Sequence, residues 1–444
     1  MTPSACEGTP LPSVGRPGHG LLAVAVGAGP SNLSLAALAR TVGTSRVQLL
    51  EARSSAAWHP GLLLSRSRLQ GSFLRDLVTP VDPCSEYSFL NFLHVKRRLN
   101  GFLTMHQDGP LRAEFSAYLE WVAERVSTSF GDEVLDISFD GNCFVIESAR
   151  QTLRTENVVV GSGAIPFVPD EAWLDLKNVW HAAEHLTAGS DTSGKSVAIV
   201  GGGQSAAEVF LHLLDAAEER PRTLTWLTGR SGLRPRDQSV FTDEFFQPTY
   251  GRYFSELSVD RRSDAAARAH GAIAGISDEV LREVYARMYA LDALDSGRTR
   301  PQILAGSEVV NMKAAADDSI QITVRDIDCA RTATVNVDMV ILATGYRKRV
   351  PQYLSSLLAR LQVTDGVVDA DGMGRARFDG PAANGLYLHA GPSSSAGVGG
   401  QALGLVAWRS AQILNNIAGE ELFDLSPEWS AQKHGLLLRE LQPD

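Results

Sequence analysis

Two glycine-rich turns constrain this chain more than any other feature. The first lies in "AVAVGAGPSNLSLAALA", residues 23–39, and the second in "VAIVGGGQSAAEVF", residues 197–210. Each follows an apolar run of strand length and leads into apolar positions at helical spacing. Strand, tight turn and helix in that order open a dinucleotide-binding unit, because glycine lets a pyrophosphate approach the N–H groups at the helix start. In the first turn Gly27 and Gly29 supply this, while Asn32 stands where a third glycine is usual. A residue of that size either spoils the close helix–strand contact or sets a polar amide beside the ligand. Glu51, about twenty residues on at the end of the next strand "RVQLLEA", is placed to bond ribose hydroxyls. A glycine turn without a ligand does not account for strand, turn, helix and acid falling in register.

In the second turn Gly201, Gly203 and Ala206 satisfy G-x-G-x-x-A, and the following strand "TLTWLTGR" ends in Arg230 rather than an acid. An acid there bonds a 2′-hydroxyl and repels a 2′-phosphate, whereas arginine favours the phosphate. The second site therefore reads as NADPH rather than NADH, although a lone surface arginine would look the same. A nicotinamide reductant that comes and goes needs a resident acceptor, and FAD is the usual one. The four cysteines (Cys6, Cys84, Cys143, Cys329) form no Cys-x-x-Cys. That excludes a disulfide reductase or a zinc ribbon and leaves an electron-transfer reductase, an oxidase or a monooxygenase.

At 444 residues the chain is long for one core. The expected class is α/β: two Rossmann-like dinucleotide-binding domains, the NADPH domain inserted into the FAD domain. The FAD domain is expected at 20–190 and 335–444, and the NADPH domain at 191–334, including a mostly helical insertion at 236–300 beside the substrate. Residues 1–19 read as a disordered leader. "RAEFSAYLEWVAERVSTSF" (112–130) predicts one amphipathic helix, and the stripe Tyr285, Met288, Tyr289 predicts core or a subunit interface. A net charge of −10 excludes a nucleic-acid or anionic-membrane binder, and no apolar run is long enough to span a bilayer. Sparse cysteines suit a reducing cytoplasm.

Several longer stretches carry a resemblance. "GAGPSNLSLAAL", "WHPGLLL", "LQGSFLRDLVTPVDPCSEYSFLNFL", "GGGQSAAE", "FTDEFFQPTY", "LATGY" and "AWRSAQILN" with "LFDL" together resemble the flavin-dependent N-hydroxylating monooxygenases, nearest the branch that acts on L-lysine. The likeness runs from about 22 to 426. It implies FAD contacts at Gly27, Gly29, Asn32, Glu51, Trp58, His59, Gln70, Val134, Gln401, Ala402 and Leu403. It implies NADP contacts at Gly201, Gly203, Gln204, Ser205, Ala206 and Arg230, and a substrate pocket of Arg75, Asp243, Glu244, Phe245, Phe246 and Gly404. Gln70 and Asp243 are the candidate catalytic side chains. Trp58 and His59 have packing at a domain interface as their alternative, but flavin contact is favoured because they sit in the matching segment.

The implied cycle has NADPH reduce FAD, reduced flavin take up O2 as a C4a-hydroperoxide, and a neutral amine attack the distal oxygen. Arg75 stands where the amino-acid hydroxylases carry a lysine that meets the substrate carboxylate; the alternative is that it pairs with Asp76 or another local acid. Asp243 replaces an asparagine of the ornithine-type enzymes, Ala272 another, and Gly404 a serine. These departures point to L-lysine, hydroxylated to N6-hydroxy-L-lysine, over L-ornithine, with cadaverine or putrescine open. The resemblance also implies a homotetramer. The competing classes are a flavin monooxygenase acting on other substrates and a nucleotide-binding scaffold without activity.

Overall fold

The computed structural model describes residues 21–434 except 106–108, 190, 217–219, 270, 272–273, 295–299, 365 and 390–401. Two five-stranded parallel sheets organise them. The first has the order Gly385–Leu388, Asn157–Val160, Ala23–Val26, Val47–Glu51 and Thr128–Phe130. Its central strand, AVAV, is buried throughout, as a parallel strand covered on both faces must be. The helix Pro30–Thr41 follows Gly29, with proline at its start where the missing N–H costs nothing. The helix Val406–Ala418 packs against it, and Ser410 Oγ donates to Ser31 O at 3.4 Å.

One expected element is divided. The helix that begins at Arg112 ends at Ala123, and Thr128–Phe130 is a strand pairing in parallel with Leu49–Glu51. Helical periodicity runs through both pieces, but the open edge beside Val47–Glu51 takes the "TSF" segment as its neighbour.

The second sheet has the order Arg300–Leu304, Thr223–Leu227, Ser196–Val200, Met339–Leu342 and Val179–His181. Two of these strands lie outside the expected 191–334. Met339–Leu342 pairs with Val197–Val200 and with Val179–His181, and Val168, Trp173 and Val179 share a core with Ala198 and Leu342. The second unit thus opens before Val168 and extends past Leu342. The helices Gln204–Asp215 and Asp278–Leu294 cover one face of the sheet. A three-stranded antiparallel sheet (Ser307–Ala314, Ile320–Asp326, Thr332–Val337) covers the other. The chain then returns to complete the first sheet, so the second unit is an insertion within the first.

The insertion after Thr223–Leu227 is helical, with Pro248–Glu256 and Val259–Arg268 preceding Asp278–Leu294. On the last of these, Met288 packs on the core, but Tyr285 is 75% and Tyr289 68% exposed, so those two are not core of this chain. Among the described residues no helix is long and apolar enough to cross a membrane.

Candidate active site

The first glycine turn closes tightly on its own sheet. Gly27 has φ +92°, and a Cβ there would lie 3.0 Å from Gly161 O. Nothing lies within 4 Å of where a Gly29 Cβ would be, so the space before the helix start is open. Asn32 is wholly buried and donates through Nδ2 to Val26 O and Gly27 O, each at 2.9 Å. The room that a third glycine would give is instead supplied from the neighbouring strand end, where a Cβ on Gly161 would collide with the Asn32 amide. Asn32 Oδ1 stays buried without a hydrogen-bond partner among the described residues. An open cradle beside an unsatisfied buried acceptor fits a bound dinucleotide.

Glu51 Oε2 accepts from Ala28 N at 2.7 Å, inside the turn, and Oε1 accepts from Arg53 N and Nε at 3.0 and 2.9 Å. Burial alone raises the Glu51 pKa, but the hydrogen bonds from Arg53 and Ala28 together outweigh it and hold the carboxyl below its ordinary range. Val134 lies buried in the core that also holds Leu50, next to this strand end.

The second turn is as close. Gly201 has φ +142°, and a Cβ there would collide with Ala343 O, while Gly203 faces open space. Ala206 is fully buried. The Arg230 side chain lies along the turn, since a Cβ on Gly202 would lie 3.0 Å from Arg230 Cδ. This sets the guanidinium beside the second turn, and a guanidinium is a group that suits a 2′-phosphate. Ser205 is half-buried at the helix start. The Gln204 amide is occupied within the protein: Oε1 accepts from Ser277 N at 2.8 Å and Nε2 donates to Glu208 Oε1 at 2.8 Å. Only its backbone faces the turn as part of the helix N-terminus. Glu208 in turn pairs with Arg112 of the first unit at 3.0 Å, both largely buried.

Between the turns lies a joint rich in rings. Trp58 stands 4.9 Å from His59 and 5.8 Å from Phe115, and His59 stands 5.7 Å from Tyr346, centroid to centroid. His59 adopts φ +51°, uncommon for a residue with a Cβ. Burial, with the Arg112 and Arg53 charges, pushes its pKa down to about 4, so its ring is neutral near pH 7.

The structure also brings together Arg75, Asp243 and Gly404, and Gln70 joins them through Arg236. Arg75 Nη1 lies 3.7 Å from Asp243 Oδ2, both side chains partly exposed. Gly404 backs the Arg75 stem, since a Cβ there would lie 3.0 Å from Arg75 Cδ. Asp76 is occupied elsewhere: it is buried and accepts from Val78 N, Thr79 N, Thr79 Oγ1 and Phe89 N at 2.6–2.9 Å. The local pairing open to Arg75 from sequence is therefore not formed with Asp76.

Arg236 was not apparent from sequence. Its Nη1 donates to Gln70 Oε1 at 3.1 Å and its Nη2 to Gln70 O at 3.3 Å. Burial lowers the Arg236 pKa, and the Asp243 carboxylate opposes that shift. No motif marks this residue, because its partner lies in the other unit.

Glu244 and Phe245 face away from this group. Glu244 is buried and accepts from Ser430 Oγ and, at 3.3 Å, from Ala431 N. Phe245 packs 4.8 Å from Tyr250 and 5.9 Å from His434. Both anchor the segment 425–434 rather than line a cleft. Phe246 is half-buried. Ala402 O accepts from Arg409 Nη2 at 3.2 Å, and Leu403 packs on the first core. Gln401 and Ala272 lie outside the described residues.

Comparison with known proteins agrees with this geometry. Residues 21–348 match the family model "L-lysine 6-monooxygenase/L-ornithine 5-monooxygenase". The chain is 31% identical to the L-lysine N6-monooxygenase of Escherichia coli, over 91% of this chain and 96% of that one. Its fold is similar to that of the FAD-bound cadaverine monooxygenase of the desferrioxamine pathway from Erwinia amylovora, with a TM-score of 0.87, 25% identity, and 94% and 99% of the two chains covered. It is also similar to the ornithine N-hydroxylase of Kutzneria, solved with reduced FAD, NADP+ and L-ornithine, with a TM-score of 0.81, 28% identity, and 90% and 99% covered. The chain therefore belongs to the L-lysine 6-monooxygenase/L-ornithine 5-monooxygenase family of NADPH-dependent flavin N-monooxygenases, whose cofactors FAD and NADPH are those that the two glycine turns imply.

Proposed function

We propose that this enzyme hydroxylates the side-chain amine of L-lysine to give N6-hydroxy-L-lysine. The observation that carries the reading is the Arg75–Asp243 pair at 3.7 Å. The two groups are too close to hold opposite ends of an extended lysine at once. They instead complement one end of it: the guanidinium takes the α-carboxylate through parallel hydrogen bonds and the acid takes the α-ammonium. A diamine offers only an ammonium at that end, which Asp243 would receive in the field of two cations, Arg75 and Arg236. Gly404 replaces the serine of ornithine-type enzymes, and the Arg75 stem fills that space.

On this reading Gly27, Gly29 and Asn32 hold FAD, and Gly201, Gly203 and Arg230 hold NADPH. FAD, once reduced by NADPH, supplies from O2 the oxygen atom that ends on the amine nitrogen; the other leaves as water. The protein binds the amino-acid head at Arg75 and Asp243, so that the side chain extends toward Gln70. The amine, with an ordinary pKa of about 10.4, must lose a proton to react. Desolvation of the bound amine would favour its uncharged form.

A diamine substrate is the second reading. Asp243 suits an ammonium, and the TM-score of 0.87 is to a cadaverine monooxygenase.

NADPH oxidation and hydroxylamine formation with L-lysine, L-ornithine, cadaverine and putrescine test the proposal. Product with lysine above all others supports it. Product with the diamines and none with lysine overturns it in favour of the second reading.

A further inference from the structure

We propose that Arg236 is a positioning residue that fixes the polarity of the Gln70 amide, so that Gln70 meets the bound flavin only as a hydrogen-bond donor. The inference rests on the flavin N-monooxygenase reading and on the FAD contact of Gln70 that the family resemblance implies, but not on which amine is the substrate.

A glutamine amide has one acceptor oxygen and a two-donor nitrogen of nearly equal shape, and commonly either end can face a given neighbour. Here one orientation is excluded. A guanidinium carries donors alone, and Arg236 reaches Gln70 twice, through Nη1 to Oε1 at 3.1 Å and Nη2 to the backbone O at 3.3 Å. Flipping the amide would set N–H against N–H beside a fixed positive charge. The oxygen therefore stays with Arg236, and Nε2 turns the other way. Nε2 is buried and has no hydrogen-bond partner among the described residues. A buried amide N–H pair without a partner is costly unless a ligand accepts from it.

The arginine is itself held in place. Arg236 N donates to Ile276 O at 2.9 Å, Ile276 N donates to Arg234 O at 3.1 Å, and Gly275 packs so closely that a Cβ there would collide with Arg236 N. The guanidinium thus springs from a braced backbone in the inserted unit and grips a loop of the first unit. Gln70 would present its donors to an acceptor atom of the isoalloxazine edge only while the two units are docked.

Three variants separate polarity from simple cross-bracing. R236M keeps the apolar stem and removes the donors. R236K restores a donor-only cation. Q70E keeps a tie to Arg236, now an ion pair, but turns an acceptor oxygen toward the flavin. The readouts are hydroxylamine formed per NADPH consumed, the visible absorption of bound oxidised FAD, KM for NADPH and thermal midpoint. R236M and Q70E are expected to lower the product yield about tenfold, the scale of one lost hydrogen bond to or from an oriented group, and to shift the flavin bands. KM for NADPH should stay within about twofold, and R236K should recover most of the yield. Q70E should do this without lowering the thermal midpoint. Wild-type coupling and flavin spectrum in Q70E would overturn the proposal and leave Arg236 a brace. If no amine gives product with the wild-type enzyme, the lysine reading fails, and the flavin spectrum still decides the role of Arg236.

Discussion

Arg75 and Asp243 come from different units of the fold and meet at 3.7 Å. Arg75 faces Asp243 before substrate arrives, and Asp243 also lies in the field of Arg236, so removing Arg75 takes away the donor that would meet a carboxylate while the acid keeps a cation near it. Arg75→Ala is expected to raise KM for lysine about 10- to 100-fold, as loss of a charge-assisted pair does. Reduction of FAD by NADPH should proceed at the wild-type rate, since Arg75 touches neither turn. Asp243→Asn should weaken lysine less, because the amide still accepts from an ammonium. Steady-state KM beside anaerobic flavin reduction checks both, and unchanged KM in Arg75→Ala would sink the carboxylate role.

The Asn32–Gly161 contact predicts a compensating pair of substitutions. Gly161→Ala drives a methyl group into the Asn32 amide and should cost about 1–3 kcal/mol, with loss of bound flavin. Asn32→Gly gives up two hydrogen bonds to buried carbonyls. In the double variant the smaller residue at 32 makes room for the methyl, so the combined loss should be less than the sum. Thermal midpoints and flavin content of the four proteins measure it. Strict additivity would mean that the two positions do not share this space.

At the second turn, Arg230→Ala should raise KM for NADPH about 10- to 100-fold while leaving NADH nearly unchanged. The 2′-phosphate is the only difference between the two. Equal losses with both would mean that Arg230 supports the turn instead of reading the phosphate.

The buried histidine His389 predicts acid sensitivity. Unfolded, it takes up a proton below 6.5; folded, burial and the Arg409 charge push that event down to about 3. Its contribution is therefore full above 6.5 and falls as acid is added, by about 1.4 kcal/mol per pH unit until the folded value is reached. Between pH 6.5 and 4.5 the thermal midpoint of His389→Gln should fall less steeply than that of the wild type. Parallel slopes would show that the imidazole is protonated in the native protein.

Both glycine turns, the acid that ends the one second strand, the arginine three residues past the end of the other, and the family were legible in the sequence. Each of these is local: a strand run, a turn that needs φ > 0 and a helix start lie within about twenty residues, so spacing alone records them. Arg75 and Asp243 were legible as separate candidates, one through each stretch of resemblance, but not as neighbours.

Tertiary structure decided the rest, because sheet partners and side-chain pairs are chosen across the chain rather than along it. The segment 128–130 carries helical periodicity yet takes the free edge beside Val47–Glu51. Val179–His181 and Met339–Leu342 pair with each other and draw both domain boundaries outward. Glu244, beside Asp243 in sequence, turns instead to Ser430 and Ala431. The place of the missing third glycine was taken by Gly161 on another strand, and Gln70 found its partner in Arg236, a residue that no motif marks. The sequence determined which dinucleotides this protein is built to hold; only the folding of one unit against the other determined which side chains face the space between them, since a distance through space leaves no period in the chain.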